Sequence, residues 1–268
     1  MTFYHPPPAP PLKGGEKTKC VSLKLVSPTI MTISVIIPAF NEEKYIGACL
    51  ENIIKYAPEN LVEILVVNNA STDKTAEVAA SFHQVRVANE PAKGLTKARQ
   101  RGLTESTGDI LAFVDADCLI PENWFEIINT EFIQNSKLVF LSGPYVYYDT
   151  PSWKRWMVRR LYWQTLARGI HLFTGYLATG GNMIMSKGAL QKVGGFDTGI
   201  AFYGEDTDIA RRLHKIGKTK FNFNLVMPTS ARRFVGEGTL KTGAKYVANY
   251  TSIMLAKKPL MKKYKDIR

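Results

Sequence analysis

Residues 110–121 read ILAFVDADCLIP, a short apolar run that stops abruptly at two aspartates. An unbroken apolar run of this length, too short for a helix, fits a strand buried on both faces of a parallel sheet, here Ile110–Val114. The same grammar recurs upstream. ISVII at Ile33–Ile37 runs into Pro38, which ends it, and EILVV at Glu63–Val67 runs into the polar loop Asn68–Lys74. After the first of these strands, Asn41 is placed to cap a helix with Glu42 and Glu43 in its first turn and Ile46, Leu50, Ile53 and Ile54 as its apolar stripe. Thr75–Phe82 and Ala92–Glu105 read as further helices, and Gln84–Ala88 as a third short strand. Strands alternating with helices imply right-handed crossovers, and so an α/β protein with a mostly parallel central sheet and flanking helices. Ligands of such sheets bind beyond the carboxyl ends of the strands, so the loops after Ile37, Val67 and Val114 share one functional rim.

The second half is less regular. It predicts a strand over Val139–Val146, a helix over Ser152–Phe173 rich in aromatic and basic residues, a strand at Met183–Ser186 and a short helix at Lys187–Val193. A helix over Asp206–Ile216 follows, stopped by Gly217 in the left-handed conformation, and a last strand runs from Lys220 to Val226. The chain has 268 residues, 45% of them hydrophobic, enough for one large domain core. We expect residues 1–30, a Pro-rich then Lys-rich leader, to be disordered, with Met31 as an alternative start. The domain proper should span 31–235, followed by a basic tail, helical or flexible, over 236–268.

Cys20, Cys49 and Cys118 are odd in number and lack metal-ligand spacing, which argues against a disulfide framework or a thiolate zinc site. No run reaches the ~18 apolar residues of a membrane span. The formal charge of +12 favours polyanionic partners, among them nucleotide diphosphates and anionic lipid headgroups. No zinc-finger, RNP or GXXG pattern accompanies it, so no nucleic-acid partner is expected.

Two acidic clusters carry the chemistry. Asp115-Ala116-Asp117, just past a strand end, is either a solvated turn or a pair of carboxylates sharing a hard divalent ion and a ribose. Gly204-Glu205-Asp206-Thr207-Asp208 opens a helix, either as acidic N-terminal capping or as a carboxylate base held at a fixed helix start. An ordinary Asp has a pKa of about 4, and partial burial would raise it toward working pH.

PAFNEE (Pro38–Glu43), VVNNASTDKT (Val66–Thr75), KGLTKAR (Lys93–Arg99), FVDAD (Phe113–Asp117), GGN (Gly180–Asn182), GGFD (Gly194–Asp197) and GEDTD (Gly204–Asp208) occur in the order in which the family-2 glycosyltransferases carry such motifs. The chain resembles that family from about Thr32 to Arg233. The resemblance implies a GT-A fold, a Rossmann-like nucleotide-diphospho-sugar transferase fold. It also implies hexosyl or related sugar transfer from a nucleotide-sugar donor, with inversion at the anomeric carbon. Residue by residue, it implies that Pro38, Ala39, Glu42 and Asn69 line the nucleoside pocket. Arg99 would pair with nearby carboxylates or the phosphates. Asp115 and Ala116 would meet the ribose side, and Asp117 the metal, Mn2+ or Mg2+. Asp206 would be the general base, and Glu205 would position acceptor or base. Gly181 and Asn182, in Thr179-Gly180-Gly181-Asn182, form either a plain tight turn or, because Gly lacks Cβ, a backbone able to approach the sugar closely.

Two departures qualify this. Asn68-Asn69 stands where many relatives carry Asp-Asp or Asp-Asn, and a metal-completing histidine is replaced by Thr229-Ser230-Ala231-Arg232-Arg233. The two arginines are candidates for binding the diphosphate. Within the helix over Ser152–Phe173, Trp153, Trp156, Tyr162, Trp163 and Phe173 interleave with Lys154, Arg155, Arg159, Arg160 and Arg168, which suits either packing on the sheet or an anionic membrane surface. With the lysine-rich tail, this points to a saccharide or lipid-linked acceptor, and to a cytoplasmic protein peripheral at the inner face of the cell membrane, as in cell-envelope polysaccharide synthesis. The rival readings are a non-catalytic nucleotide-sugar-binding homologue and a sugar nucleotidyltransferase. The latter should show a Gly-rich first loop, which PAFNEE lacks.

Overall fold

Val35 and Ile37 pack into one face of the central sheet and Ile36 into the other, and all three are wholly excluded from solvent. A strand buried on both faces requires helices on both sides, and that layering organises the chain. The structure, a computed structural model, describes residues 31–257 and 259–261. The expected leader over 1–30 and the basic residues Lys258, Lys262, Lys263, Lys265 and Arg268 lie outside the described residues.

Four strands form the regular half: β1 (Ile33–Ala39), β2 (Leu61–Asn68), β3 (Val85–Asn89) and β4 (Ile110–Phe113). They are joined by α1 (Ile46–Lys55), α2 (Thr75–Ala80) and α3 (Leu95–Glu105) and pair in parallel. The sheet continues through α4 (Trp124–Gln134), β5 (Leu138–Ser142), β7 (Met183–Ser186) and β8 (Lys218–Phe221) to give the order β3-β2-β1-β4-β7-β5-β8. Only β7 runs against its neighbours β4 and β5, so the sheet is mostly parallel, as expected. A second, two-stranded sheet pairs β6 (Tyr145–Tyr147) with β9 (Met227–Thr229). One core layer joins Val35 and Ile37 to Leu50 and Ile53 of α1 and to Trp124 and Ile128 of α4. The other joins Ile36 and Leu65 to Leu103 of α3 and to Ile209 and Leu213 of α8 (Glu205–His214).

Several expectations are corrected. Helix α4 was not anticipated, although Trp124, Ile128 and Phe132 bury a helical stripe. β1 continues through Pro38, because its pairing with β4 stops at Ile36 while that with β2 runs on, leaving one side of the strand free there. Asn41 does not cap α1. It adopts φ 53°, and its side chain accepts from the Thr72 N–H at 2.8 Å, so the helix starts at Ile46 and residues 41–45 form a loop. The strand expected over 139–146 divides at Gly143-Pro144, where β5 ends and β6 joins the small sheet. The strand expected over Lys220–Val226 stops at Phe221, the end of β8; residues 222–226 form a loop, and β9 begins beyond them beside β6 rather than in the main sheet. Gly217 is not left-handed. It is a point of close approach, since a Cβ there would lie 2.4 Å from Val139 Cγ1.

The aromatic helix is real but irregular: α5 (Ser152–Met157) passes through a π-helical segment, Val158–Ala167, into α6 (Arg168–Thr174). After α7 (Lys187–Lys192) and α8 come α9 (Arg232–Glu237) and α10 (Thr239–Ala256). Position 235/236, the expected domain boundary, falls inside α9. α10 is packed onto the domain: Ile253 is fully buried, and a Cβ on Gly204, the left-handed residue before α8, would meet its Cδ1 at 2.1 Å.

Candidate active site

In the sheet order, the chain leaves β1 toward β2 on one side while β4 lies on the other, so the crevice between the ends of β1 and β4 is a topological switch point. Glu42 enters it from the loop after β1, and Asp115 and Asp117 from the end of β4. Thr229 of β9, Arg232 of α9, Arg99 of α3 and Glu205 of α8 complete the rim.

Arg99 is 0% exposed and anchors one cluster. Its Nη1 donates to Glu205 Oε1 at 2.8 Å, and its Nη2 donates to Asp115 Oδ1 at 3.2 Å and to the Gly180 carbonyl at 2.9 Å. Asp115 also accepts from the Tyr145 hydroxyl at 3.4 Å. Gly181 presses on this pair: a Cβ there would lie 2.6 Å from Asp115 Cγ, and its N–H donates to the Tyr145 hydroxyl.

Arg232 anchors a second cluster. Its two Nη atoms donate to the two oxygens of Glu42, both at 2.7 Å, and its Nε lies 2.9 Å from Asp117 Oδ2. Asp117 Oδ1 accepts from Thr229 Oγ1 at 3.2 Å. Burial pushes the Asp117 carboxyl up to about 6, against the opposing pull of Arg232. Among the described residues no set of three or more His, Cys, Asp or Glu side chains is arranged to hold a metal ion. Asp117 and Asp115 are nevertheless oxygen donors of the hard type that Mg2+ and Mn2+ take alongside phosphate oxygens and water.

Asp206, next to Glu205 in the first turn of α8, is partly exposed and accepts from the Thr207 N–H at 2.6 Å. Burial raises the pKa of both carboxyls, and the charge of Asp206 raises that of Glu205 further while Arg99 lowers it. The charge of Asp206 is felt at Tyr162 of the π-helical segment and at Tyr250 of α10. A carboxylate with raised basicity at a fixed helix start can accept a proton from a hydroxyl.

Residues 34–194 match the sequence profile described as Glycosyl transferase family 2, more than half of the chain. The chain belongs to glycosyl transferase family 2. Glycosyltransferase GlyG of Streptococcus pneumoniae is 32% identical over 122 residues, covering 44% of this chain and 40% of that protein. Glycosyltransferase AglE of Haloferax volcanii is 37% identical over 105 residues, covering 37% and 34%. The chain thus spans less than half the length of these relatives. Among solved structures, mannosyltransferase PcManGT from Pyrobaculum calidifontis, in complex with GDP-Man and Mn2+, superposes with a TM-score of 0.65 at 19% identity over 84% of this chain and 64% of that one. Glucosyl-3-phosphoglycerate synthase from Mycobacterium tuberculosis, in complex with Mn2+, UDP and phosphoglyceric acid, gives 0.60 at 19% identity over 84% and 78%. The fold is GT-A.

Within this family-2 frame, the expected site residues separate. Glu42, Asp115, Asp117, Arg99, Glu205 and Arg232 come together as described, with Asp206 adjoining. The Asn69 amide is engaged within the protein. It accepts from the Gly94 N–H at 2.7 Å and donates to the carbonyls of Glu90 and Ala92, bracing the loop before α3. Asn182 is fully buried, accepting from Trp124 Nε1 and donating to the Leu225 carbonyl, so its side chain ties α4 to the loop before β9. Ala116 faces the apolar core, and Pro38 and Ala39 are buried beneath the crevice. Arg99 has no exposed surface to offer a phosphate, and Arg233 turns from the acids to pair with Glu237 at 3.3 Å over the Phe202 ring. Tyr145 and Tyr148, whose hydroxyl donates to the Asp117 carbonyl, carried no sequence signal, and Thr229 was marked only as part of the segment that stands in place of a histidine. β6 and β9 bring them in from distant positions, and only the pairing of those strands would have revealed them.

Proposed function

We propose that this chain transfers a sugar from a nucleotide-diphosphate donor to an acceptor hydroxyl with inversion, assisted by Mn2+ or Mg2+. The observation that carries the reading is the crevice at the β1/β4 switch point. There Glu42, Asp115 and Asp117 meet two guanidiniums, with a basic carboxylate, Asp206, alongside. The donor's nucleoside diphosphate lies in the crevice, with its phosphates toward Asp117 and Arg232. Asp117, with Asp115, is the residue to hold the divalent ion, and two structural neighbours, one with GDP-Man and one with UDP and phosphoglyceric acid, also hold Mn2+. Such an ion, when bound, neutralises charge on the departing nucleoside diphosphate. Asp206 takes the acceptor's proton, and the hydroxyl oxygen attacks the anomeric carbon opposite the departing diphosphate, which inverts that centre. Glu205, pinned by Arg99, fixes the start of α8 and hence Asp206.

The acceptor is a saccharide, and a lipid-linked one fits the surface best. Along Ser152–Thr174, Trp153 and Trp156 are 60% exposed and Phe173 90%, among the exposed cations Lys154, Arg159, Arg160 and Arg168. A groove of about 690 Å³ between this helix and α10 is lined by Ile170, Phe173, Tyr250 and Met254 among others. Apolar surface of this size beside cations matches an anionic membrane face, here the cytoplasmic side of a cell membrane where envelope polysaccharides are assembled. No helix of the described residues is long and apolar enough to cross a membrane.

The test is release of nucleoside diphosphate from UDP-, GDP- and dTDP-sugars with Mn2+ or Mg2+ and with saccharide or polyprenyl-phosphate-linked acceptors. Asp206→Asn should lower turnover by roughly 10²–10⁴-fold with donor binding retained. Absence of release with every donor, or full turnover in Asp206→Asn, contradicts the reading. Sedimentation with anionic but not neutral liposomes tests the surface separately.

A further inference from the structure

Arg232 is held in place before any ligand arrives. It opens α9 directly after the β9 turn, and that turn is anchored by Asp149, which accepts from Ser230 Oγ at 2.6 Å and from the Ala231 N–H at 2.7 Å. The guanidinium also lies over the Tyr45 ring at 4.6 Å. Three of its five N–H groups meet Glu42 and Asp117, which leaves two for phosphate oxygens. Both oxygens of Asp117 are engaged, one by Thr229 and one by Arg232. A divalent ion binding Asp117 must therefore share or displace the contact to Nε, and no cluster of three acidic, His or Cys ligands among the described residues repays that displacement.

We propose that Arg232 is a built-in cation of the donor site, which holds Glu42 and Asp117 together, competes with a divalent ion for Asp117, and sustains nucleoside-diphosphate binding when that ion is removed. The inference rests on the crevice being the donor site. It assigns the chain a divided electrostatic supply: one charge is fixed in the polypeptide, and the other is borrowed with the nucleotide. A fixed guanidinium in a partly buried site needs no recruitment and is unaffected by chelation.

The experiment titrates UDP and GDP into the full chain calorimetrically in EDTA and in Mn2+, and separately follows Mn2+ binding without nucleotide by the spin resonance of the free ion. Wild type should bind its preferred nucleotide in EDTA within about 10-fold of its affinity in Mn2+. Arg232→Met should lose roughly 100-fold in EDTA, retain most binding in Mn2+, and bind Mn2+ alone about 10-fold more tightly than wild type, the scale of losing one desolvated charge pair. Arg232→Lys, which keeps a point charge, should hold EDTA binding within about 10-fold of wild type, and it serves if the Met variant does not fold. Nucleotide binding that EDTA abolishes in wild type, or that is the same in Arg232→Met and wild type under both conditions, overturns the inference and leaves the donor site standing. No binding of UDP or GDP to wild type under either condition overturns both.

Discussion

Arg99 and Arg232 each clamp two carboxylates at the same rim, yet Arg99 is fully buried whereas 17% of the Arg232 side chain remains exposed. Arg99 comes from α3 and meets Asp115, Glu205 and a backbone carbonyl beneath the crevice. Arg232 comes from a late segment outside the matched family profile and closes over Glu42 and Asp117 at the crevice mouth. Desolvation explains the division of labour. A wholly buried guanidinium must spend its charge on fixed partners, because an unpaired one costs several kcal/mol, whereas a group at the edge keeps N–H groups for a ligand. Arg99 is therefore a strut that shapes the site, and Arg232 a group that works in it.

The comparison breaks most directly at Arg99. Arg99→Met should strand Asp115 and Glu205 without their partner and lower unfolding free energy by about 3–5 kcal/mol in denaturant titrations. A loss below about 1 kcal/mol would deny the strut. Gly181→Ala should come next, destabilising by about 1–3 kcal/mol because its Cβ would overlap Asp115, with nucleotide binding weakened in the same protein.

The pH dependence sharpens the contrast. Burial raises the carboxyls of Glu205 and Asp206 above their ordinary range, and Arg99 opposes this. Turnover should rise with pH as Asp206 loses its proton, with a midpoint above the ordinary Asp value of about 4, and Arg99→Met, which removes the charge, should move that limb to still higher pH. Stability runs the other way. Folded-state pKa values above the unfolded ones favour the fold at low pH, and this contribution is lost as pH rises through the raised values. An acid limb that stays put in Arg99→Met would contradict the coupling. The smallest effect is expected at Arg233, whose partner Glu237 keeps its ion pair with Lys245: Arg233→Ala should cost about 1–2 kcal/mol in thermal unfolding.

The regular half was legible because its physics is local. Buried strands such as ISVII and ILAFV are read from composition alone, and the switch-point rule then places Glu42, Asp115 and Asp117 on one rim. The second half resisted because its determinants are distant. Pro144 breaks a strand that reads as continuous, and β6 finds β9 some eighty residues later. Polar motif residues were legible as important but not in kind. Asn69 and Asn182 look like ligand contacts in a string, but burial makes them braces, because a buried amide must satisfy its hydrogen bonds within the protein. Arg232 and Arg233 are neighbours in sequence, but the start of α9 sends one into the site and the other to Glu237.

The most direct test of the account is calorimetric titration of UDP, GDP and dTDP in Mn2+ into wild type and Asp117→Ala. The account predicts saturable binding of at least one nucleotide by wild type, weakened by up to about tenfold in the variant at unchanged folding. Binding that is indifferent to Asp117, or absent for every nucleotide, would contradict the placement of the donor site at the end of β4.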